Sequence, residues 1–329
     1  MRYFDVCNGD ADGLFAMHQL RLAHPHRATL VTGLKQDVAL LDRVTAQPGD
    51  HVTVTDVSMR ANLAALERLL ASGVTVEYFD HHHAGAIPRH SLLRANIDPA
   101  ADTCTSVIVD THLGGRFRRW AVAGAFGDNL AACARRLARQ CGLRPADIVR
   151  LQELGENVNY NAYGEDERDV LVRPAVLYTA LSKYEDPLDF IADCHELALI
   201  AHARRQDMER ACATRPLVST AHAAIYRLPD TPWASRVRGA FANWLAAAVP
   251  DRANIVAKHQ KDGAWHVSVR APLSAPHGAD RLCRLFGGDG RASAAAIRGL
   301  PDHRFDAFIT ACLRGLENEG EHSAGSQPQ

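Results

Sequence analysis

The feature that most constrains the fold is a regular alternation of short apolar segments and amphipathic segments in the first half of the chain. Four segments rich in β-branched and aromatic residues are predicted strands: RYFDVC, ATLVTG, HVTVTDVS and VTVEYF. Helical spacing of apolar residues occurs between and after them, in LFAMHQLRLA, DVALLDRV and ANLAALERLLASG. Strands that alternate with helices build a mostly parallel sheet with helices on both faces. We therefore predict an α/β fold.

Carboxylates and imidazoles follow several of these segments. They are Asp10 and Asp12 after the first strand, Asp56 after the third, Asp80, His81 and His82 after the fourth, and Asp128 at the end of the apolar segment AVAGAFGDN. Each aspartate alone has a simpler explanation, because aspartates also cap helices and form turns. Open parallel sheets, however, bind ligands at the carboxyl ends of their strands. The sequence therefore predicts one site at this edge.

The chemistry of this set of side chains suits hard divalent cations. Carboxylate oxygens combined with one or two imidazoles favour Mn²⁺, with Mg²⁺ or Co²⁺ as substitutes. Two such ions about 3.5–4 Å apart are a common centre for phosphoryl hydrolysis. The eight cysteines are scattered without a C-x-x-C pair, which argues against a zinc–thiolate site and a disulfide framework. We predict a centre of two manganese ions.

Length and charge restrict the remaining classes of protein. A chain of 329 residues with 47% hydrophobic residues is long enough for about two domains. The first ten residues lack an apolar signal core, and no run of about 18 apolar residues occurs, so we expect a cytoplasmic protein that does not enter a membrane. A net charge of −1 argues against tight binding to long nucleic acids and leaves a small anionic substrate. The sequence is compatible with a homodimer.

The motifs resemble those of a known family, the DHH phosphoesterases. NGDADG, VTDVS, FDHHH and GAFGDN are similar to four family motifs in the family order, and AWHVSVRAP with LFGGDGRASAAAI resembles the family's second domain, DHHA1. The family includes RecJ-type exonucleases, short-oligonucleotide ribonucleases, cyclic-dinucleotide phosphodiesterases and, more distantly, manganese pyrophosphatases. The resemblance covers nearly the whole chain. It implies two lobes: a mostly parallel DHH domain and a smaller C-terminal α/β DHHA1 domain.

The expected domain limits follow from the motifs and from one polar helical segment. We expect a metal-binding catalytic DHH domain over residues 1–190 and a DHHA1 domain over residues 215–317. Residues 191–214 include the charged helical segment HARRQDMERACA, which precedes Pro216, and they are expected to connect the two domains. The polar, glycine-containing residues 318–329 are expected to form a disordered tail.

The resemblance also implies a role for each residue of the site. It assigns Asp10 and Asn8 to the first ion, Asp12, His81 and Asp128 to the second, and Asp56 to both. It implies that His82 donates to the scissile phosphate or protonates the leaving group, while Asp80 orients the histidines. Many relatives have a histidine where this chain has Asn8, and an amide oxygen binds Mn²⁺ more weakly than imidazole. We therefore expect a weak first site. His83 lies outside the pattern and is predicted to be a solvated loop residue.

The C-terminal domain is expected to bind the nucleotide or phosphate. The resemblance assigns this role to Ser268, Arg270, Gly287, Gly288 and Arg291. In GGDGRASAAAI, glycines allow the backbone to approach an anion, and a helix is expected to follow and present its amino-terminal dipole. Relatives often have a histidine at the position of Gly290.

Two further segments have open interpretations. In DTCTSVIVD, the hydroxyls of Thr103, Thr105 and Ser106 and the first amides of a helix either bind a phosphate or cap the helix. In NYNAYGED, we expect a loop, and Asn159, Asn161 and Tyr163 either line the site or only support that loop.

Three functions compete. The favoured one is a manganese-dependent phosphodiesterase that acts on short oligonucleotides or on linear or cyclic dinucleotides. The second is a phosphatase or pyrophosphatase on small phosphates. The third is a nucleotide-binding relative without catalysis, for which Asn8 is the sequence support.

Overall fold

The computed structural model describes residues 1–313, and the chain forms two compact units. The first unit is Met1–Ala203, and the second begins at Arg204. The predicted tail, residues 318–329, lies outside the described residues, as do residues 314–317 of the predicted second domain. Among residues 1–313, no helix has both the length and the apolar character that a membrane span requires.

A five-stranded parallel sheet forms the centre of the first unit. Its strands are β1 (Tyr3–Asn8), β2 (Thr29–Gly33), β3 (His51–Thr55), β4 (Thr75–Asp80) and β5 (Leu93–Ile97). They lie in the order β2-β1-β3-β4-β5, and each neighbouring pair is parallel. The chain adds β2 on one side of β1 and β3 on the other. This reversal opens a crevice at the carboxyl ends of β1 and β3, where open sheets bind their ligands.

Helices cover both faces of this sheet, as the sequence predicts. They are α1 (Ala11–Ala23), α2 (Leu63–Ala71), α3 (Thr105–His112), α4 (Arg118–Gly127), α5 (Ala131–Gln140), α6 (Pro145–Asn161), α7 (Pro174–Leu181), α8 (Pro187–Asp193) and α9 (His195–Cys212), and α9 runs through the division between the units. Adjacent residues of β4 point to opposite faces. Tyr78 packs in one core with Leu66 of α2, and Phe79 packs in another with Leu20 of α1.

The predicted helix DVALLDRV is instead a short 3₁₀ turn, Leu40–Arg43. Leu40 and Leu41 are both buried, although they are adjacent in sequence. One tight turn is enough to bury two neighbouring leucines, so the packing does not require a longer amphipathic helix. The helical prediction for this segment is therefore wrong.

The segment NYNAYGED is only partly a loop, because α6 continues through Asn161. The side-chain oxygen of Asn161 accepts hydrogen bonds from the amides of Leu171 (3.2 Å) and Val172 (3.1 Å). Its amide group also donates to the Val172 carbonyl oxygen. Asn161 therefore fixes the connection after α6, which supports the structural alternative for this residue.

A six-stranded sheet forms the second unit. Its strands are β6 (Val218–Ser219), β7 (Ala223–Leu228), β8 (Ala253–His259), β9 (Ala264–Arg270), β10 (Asp289–Arg291) and β11 (Ala294–Pro301), and its helices are α10 (Pro232–Ala248), α11 (Ala279–Arg284) and α12 (residues 305–313, up to the end of the described chain). The order is β10-β11-β9-β8-β7-β6. Strands β8 and β9 form the predicted hairpin. Val267 of β9 packs with Cys283 of α11 and Phe308 of α12 in the core.

The predicted helix after the glycines of GGDGRASAAAI is wrong, because SAAAI belongs largely to strand β11. Alanine favours helices, which is why the local sequence indicates one. In β11, however, Ala295 and Ile297 are buried in the core while Ala294 and Ala296 face the other side. This period of two, imposed by pairing with β9, overrides the helical propensity.

Candidate metal centre

The turn between β1 and α1 places Asp10 at the edge of the sheet. Asp10 caps α1, and its Oδ1 accepts a hydrogen bond from the Gly13 amide at 3.1 Å. The Asp10 amide in turn donates to the Asn8 side-chain oxygen at 3.2 Å. A Cβ at position 13 would lie 2.4 Å from the Asn8 carbonyl oxygen, so only glycine fits there. The sequence NGDADG thus fixes the direction of a buried carboxylate.

Asp56 lies at the same edge of the sheet, directly after β3. Its backbone has a left-handed conformation, with φ of 57°. Its amide donates to the Phe79 carbonyl oxygen at 3.0 Å, and its Oδ1 accepts from the Thr105 hydroxyl at 3.3 Å. A non-glycine residue in this region stores about 1–3 kcal/mol of strain, and such strain concentrates at functional sites. The carboxylate is 3% exposed. The surrounding sheet therefore keeps Asp56 in a strained backbone conformation, which lowers the stability of the fold.

The end of β4 supplies a carboxylate with two histidines. Asp80 is fully buried, and its Oδ1 accepts hydrogen bonds from His82 Nδ1 at 2.7 Å and from the His81 amide at 2.9 Å. The His82 side chain is 45% exposed. Asp80 therefore fixes both histidines from the buried side, and Nε2 is the His82 nitrogen that remains to reach a ligand.

Three side chains converge closely enough to hold one cation. Ligand atoms of Asp56, His81 and His82 all lie within 4.8 Å of one another. His81 Nε2 is 3.4 Å from Asp56 Oδ1 and 3.8 Å from Oδ2 of Asp128, the residue that ends α4. Buried carboxylate oxygens beside imidazole nitrogens are a donor set that divalent manganese accepts. The residues present therefore fit a divalent ion.

The charges of the cluster also favour a cation. Burial, together with the neighbouring Asp10 and Asp12 carboxylates, raises the pKa of Asp56 well above its usual value. Burial likewise raises the pKa of Asp128. Carboxylates that are buried together repel one another unless protons or cations neutralise them. A divalent ion bound here would replace this repulsion with attraction.

The motif position of Asp12 suggests a metal ligand, but its carboxylate oxygens contact backbone amides of α3. Its Oδ2 accepts a hydrogen bond from the Thr105 amide and its Oδ1 accepts one from the Ser106 amide, both at 2.7 Å. These are the first amides of α3. A carboxylate of the protein therefore already accepts from these two amides, which argues against the phosphate interpretation of DTCTSVIVD. Each Asp12 oxygen keeps a second lone pair, so its assignment as a metal ligand stays a prediction.

Lys35 is the residue of this site that the sequence analysis missed. Its ammonium lies 2.5 Å from Asp10 Oδ2, 3.1 Å from Asn159 Oδ1 and 3.9 Å from Asp128 Oδ1. Burial opposes the charge of Lys35, but the nearby carboxylates, Asp10 first, raise its pKa well above the usual value. The signal in the sequence was its position just after β2, which pairs with β1 in parallel.

We expect manganese binding to release a proton from His81. Burial lowers the pKa of His81, but the hydrogen bond and charge of Asp56 outweigh burial and raise it to about 10. The metal-free ring is therefore protonated at pH 7.5, whereas a metal ligand must be neutral. Because the proton and the ion compete, affinity for Mn²⁺ should rise about tenfold per pH unit between pH 6 and 8.

Isothermal titration calorimetry in buffers of different ionisation enthalpy measures this release directly. About one proton per bound ion is expected from the wild type at pH 7.5. His81→Gln should bind the ion more weakly and release less. Affinity that is independent of pH in the wild type would contradict the assignment of His81 as a ligand.

In the second unit, the structure brings the two predicted arginines onto one face of the sheet. Arg270 of β9 and Arg291 of β10 both pair with Ala294 of β11, and paired residues project from the same face. Ser268 pairs with Ala296 on this face as well. Arg270 Nε donates to Asn243 Oδ1 of α10 at 2.8 Å. The face thus combines two guanidinium groups with small side chains between them.

The predicted glycines form the turn before this face. Gly287 has φ of 81°, which favours glycine. A Cβ at Gly288 would lie 2.4 Å from the Ala296 carbonyl oxygen, so close packing against β11 also requires glycine there. Both glycines therefore have a structural role, and their contact with an anion stays a prediction.

Comparison with known proteins identifies the fold. No protein-family model and no curated protein matches the sequence. Among solved structures, a manganese-bound RecJ exonuclease is similar with a TM-score of 0.59 and 18% identity, over 94% of this chain and 88% of that one. RecJ of Thermus thermophilus with Mn²⁺ has a TM-score of 0.64 and 18% identity, over 96% of this chain but 52% of that one.

A third similar structure is the pGpG-specific phosphodiesterase PggH of Vibrio cholerae. Its TM-score is 0.56 at 16% identity, and the match covers 97% of this chain and 99% of that one. The similarity therefore covers both the parallel sheet of the first unit and the sheet of the second unit. The chain has the two-domain α/β fold of the RecJ-like DHH phosphoesterases.

Proposed function

We propose that this protein is a metal-dependent phosphodiesterase that hydrolyses short oligonucleotides or linear or cyclic dinucleotides. The observation that carries this proposal is the convergence of Asp56, His81 and Asp128 at the carboxyl ends of strands and at the end of α4. In the similar fold of RecJ, solved structures contain Mn²⁺ or Mg²⁺. Manganese is the proposed cofactor, and the family resemblance implies two ions.

The residues have distinct roles in the proposed reaction. A bound divalent ion would activate water and neutralise charge on the phosphoryl group. Asp56, His81 and Asp128 would hold this ion, and Asp12 stays a candidate ligand. His82, oriented through Nδ1 by Asp80, offers Nε2–H to the phosphate or to the leaving oxygen. The Asp80 carboxylate fixes the orientation of this ring through its hydrogen bond with Nδ1.

Three observations support a small substrate. The net charge of −1 gives no broad positive field for a long nucleic acid. The alignment with the pGpG-specific phosphodiesterase is nearly end to end on both chains. In the second unit, Arg270 and Arg291 lie two strands apart, about 10 Å by the usual strand spacing, which suits a terminal phosphate or nucleotide between them.

Arg291→Ala is expected to raise KM about tenfold or more and to leave kcat nearly unchanged, because a charged hydrogen bond to substrate is lost away from the reacting atoms. Steady-state kinetics on a linear dinucleotide measures this. Arg298→Ala is the matched control: it removes the same charge from an exposed position on β11, about 13 Å along the strand from Ala294. Equal effects of the two variants would contradict a specific contact.

A substrate panel tests the proposed function. The purified protein is assayed with Mn²⁺ on linear dinucleotides, cyclic dinucleotides, short single strands and tripolyphosphate. We expect cleavage of phosphodiester substrates and little of tripolyphosphate. Cleavage of tripolyphosphate alone would favour a phosphatase or pyrophosphatase, and binding of nucleotides without any cleavage would favour a non-catalytic nucleotide-binding protein.

A further inference from the structure

The position expected for a first metal ion already contains a positive charge. The resemblance places that ion at Asn8 and Asp10. In the structure, both Asp10 oxygens have partners, since Oδ1 accepts from the Gly13 amide and Oδ2 accepts from the Lys35 ammonium. The Asn8 side-chain oxygen accepts from the Asp10 amide. The atoms that would bind a first ion therefore already have partners, and the partner of Asp10 Oδ2 is a cation, unlike the neutral amides that donate to Asp12.

Lys35 is held in this position by several groups. Its Nζ lies 2.5 Å from Asp10 Oδ2, 3.1 Å from Asn159 Oδ1 and 3.9 Å from Asp128 Oδ1. Its side chain is 27% exposed, and its ammonium lies 5.6 Å from the centre of the Tyr163 ring, a cation–π contact. The oxygen atoms of three side chains and the nearby aromatic ring together stabilise the Lys35 ammonium in this position.

The second position differs in the chemistry of its ligands. His81 Nε2 lies 3.4 Å from Asp56 Oδ1 and 3.8 Å from Asp128 Oδ2, so this position combines an imidazole nitrogen with carboxylate oxygens. An imidazole nitrogen is a good ligand for a transition metal, whereas the groups around the Lys35 ammonium are all oxygen acceptors. A divalent ion at Asp10 Oδ2 would have to displace the Lys35 ammonium, which lies 2.5 Å from that oxygen, whereas the ammonium is 3.9 Å from Asp128 and on the Oδ1 side, away from the Oδ2 that His81 approaches. Asp10 thus binds the Lys35 ammonium, while Asp56 and His81 offer the position that suits a divalent ion.

We propose that the Lys35 ammonium permanently replaces the first divalent ion, so that this protein binds one exchangeable manganese ion, at Asp56, His81 and Asp128. This inference rests on the proposed function only for the identity of the metal. It differs from the sequence prediction of two manganese ions.

Counting bound ions tests the inference without any substrate. The full chain is stripped with a chelator and equilibrated with Mn²⁺, and bound manganese is measured by elemental analysis and low-temperature electron paramagnetic resonance. The expected result is one ion per chain with the spectrum of an isolated ion. Lys35→Ala should bind a second, weaker ion, and the spectrum should then show coupling between two ions.

The controls separate this result from general charge effects. Lys183→Ala removes the same charge from an exposed position in the first unit and should keep one ion. Lys35→Arg should also keep one ion, and circular dichroism confirms that each variant is folded. Two coupled ions in the wild type, or no bound ion, would overturn the inference. It is equally overturned if Lys35→Ala still binds one ion and only its KM for substrate rises.

These outcomes are distinguishable from a failure of the proposed function. If the wild type binds one ion but is inactive, and Lys35→Ala binds two ions, the inference about Lys35 holds and the proposed phosphodiesterase function is wrong. An active protein with two coupled ions would do the reverse.

Discussion

Asp56→Asn is expected to lower kcat by more than about 100-fold, because loss of a metal ligand should exceed the 10–100-fold cost of losing a residue that only supports a ligand. The variant should remain folded. Asparagine is one of the few residues that tolerate the left-handed conformation of position 56, and its amide oxygen can still accept from the Thr105 hydroxyl. The loss of activity would therefore report on the carboxylate and not on the fold.

Turnover of a linear dinucleotide and the affinity for Mn²⁺ are the two measurements for this variant. Both should fall together. Asp102→Asn, at an exposed carboxylate whose side chain is 75% accessible, is the matched control and should behave as the wild type. Normal activity of Asp56→Asn would remove Asp56 from the metal site.

Asp12→Ala is expected to lower the free energy of unfolding by about 3 kcal/mol, because two buried amides lose their acceptor and each such loss costs about 1–3 kcal/mol. Those amides belong to Thr105 and Ser106, so the variant loosens the contact between α1 and α3. Part of the cost is offset, since removal of Asp12 also removes its repulsion with Asp56.

Urea denaturation followed by circular dichroism measures this change. Asp12→Asn is the informative comparison, because it keeps one oxygen acceptor and should lose about half as much stability. If Asp12→Ala loses activity but keeps the stability of the wild type, the two amide contacts do not stabilise the fold and Asp12 acts only at the metal.

The strand-end residues could be predicted from sequence because their placement depends on simple geometry. A parallel sheet brings the carboxyl ends of its strands to one edge, so Asp10, Asp56 and His81 meet once the strands are recognised. Asp128 was grouped with them because it closes the apolar segment AVAGAFGDN, but that segment ends a helix, α4, and not a strand. Local patterns were sufficient here because each residue follows directly on the element that positions it.

The rest depends on contacts between distant segments. Lys35 follows β2 as a single lysine outside the motifs, and only the pairing of Asn8 with Gly33 shows that it reaches Asp10. The partners of Asp12 lie 93 and 94 residues away along the chain. Strand β11 was predicted as a helix because its alanines favour a helix until pairing with β9 imposes the extended form.

The most direct test of the account is hydrolysis of a linear dinucleotide by the metal-stripped protein as Mn²⁺ is added back. The account predicts no hydrolysis in chelator and a rate that rises with Mn²⁺ and then saturates. For Asp56→Asn it predicts a rate more than about 100-fold lower at every Mn²⁺ concentration. A rate that chelation leaves unchanged, or no hydrolysis at saturating Mn²⁺, would contradict it.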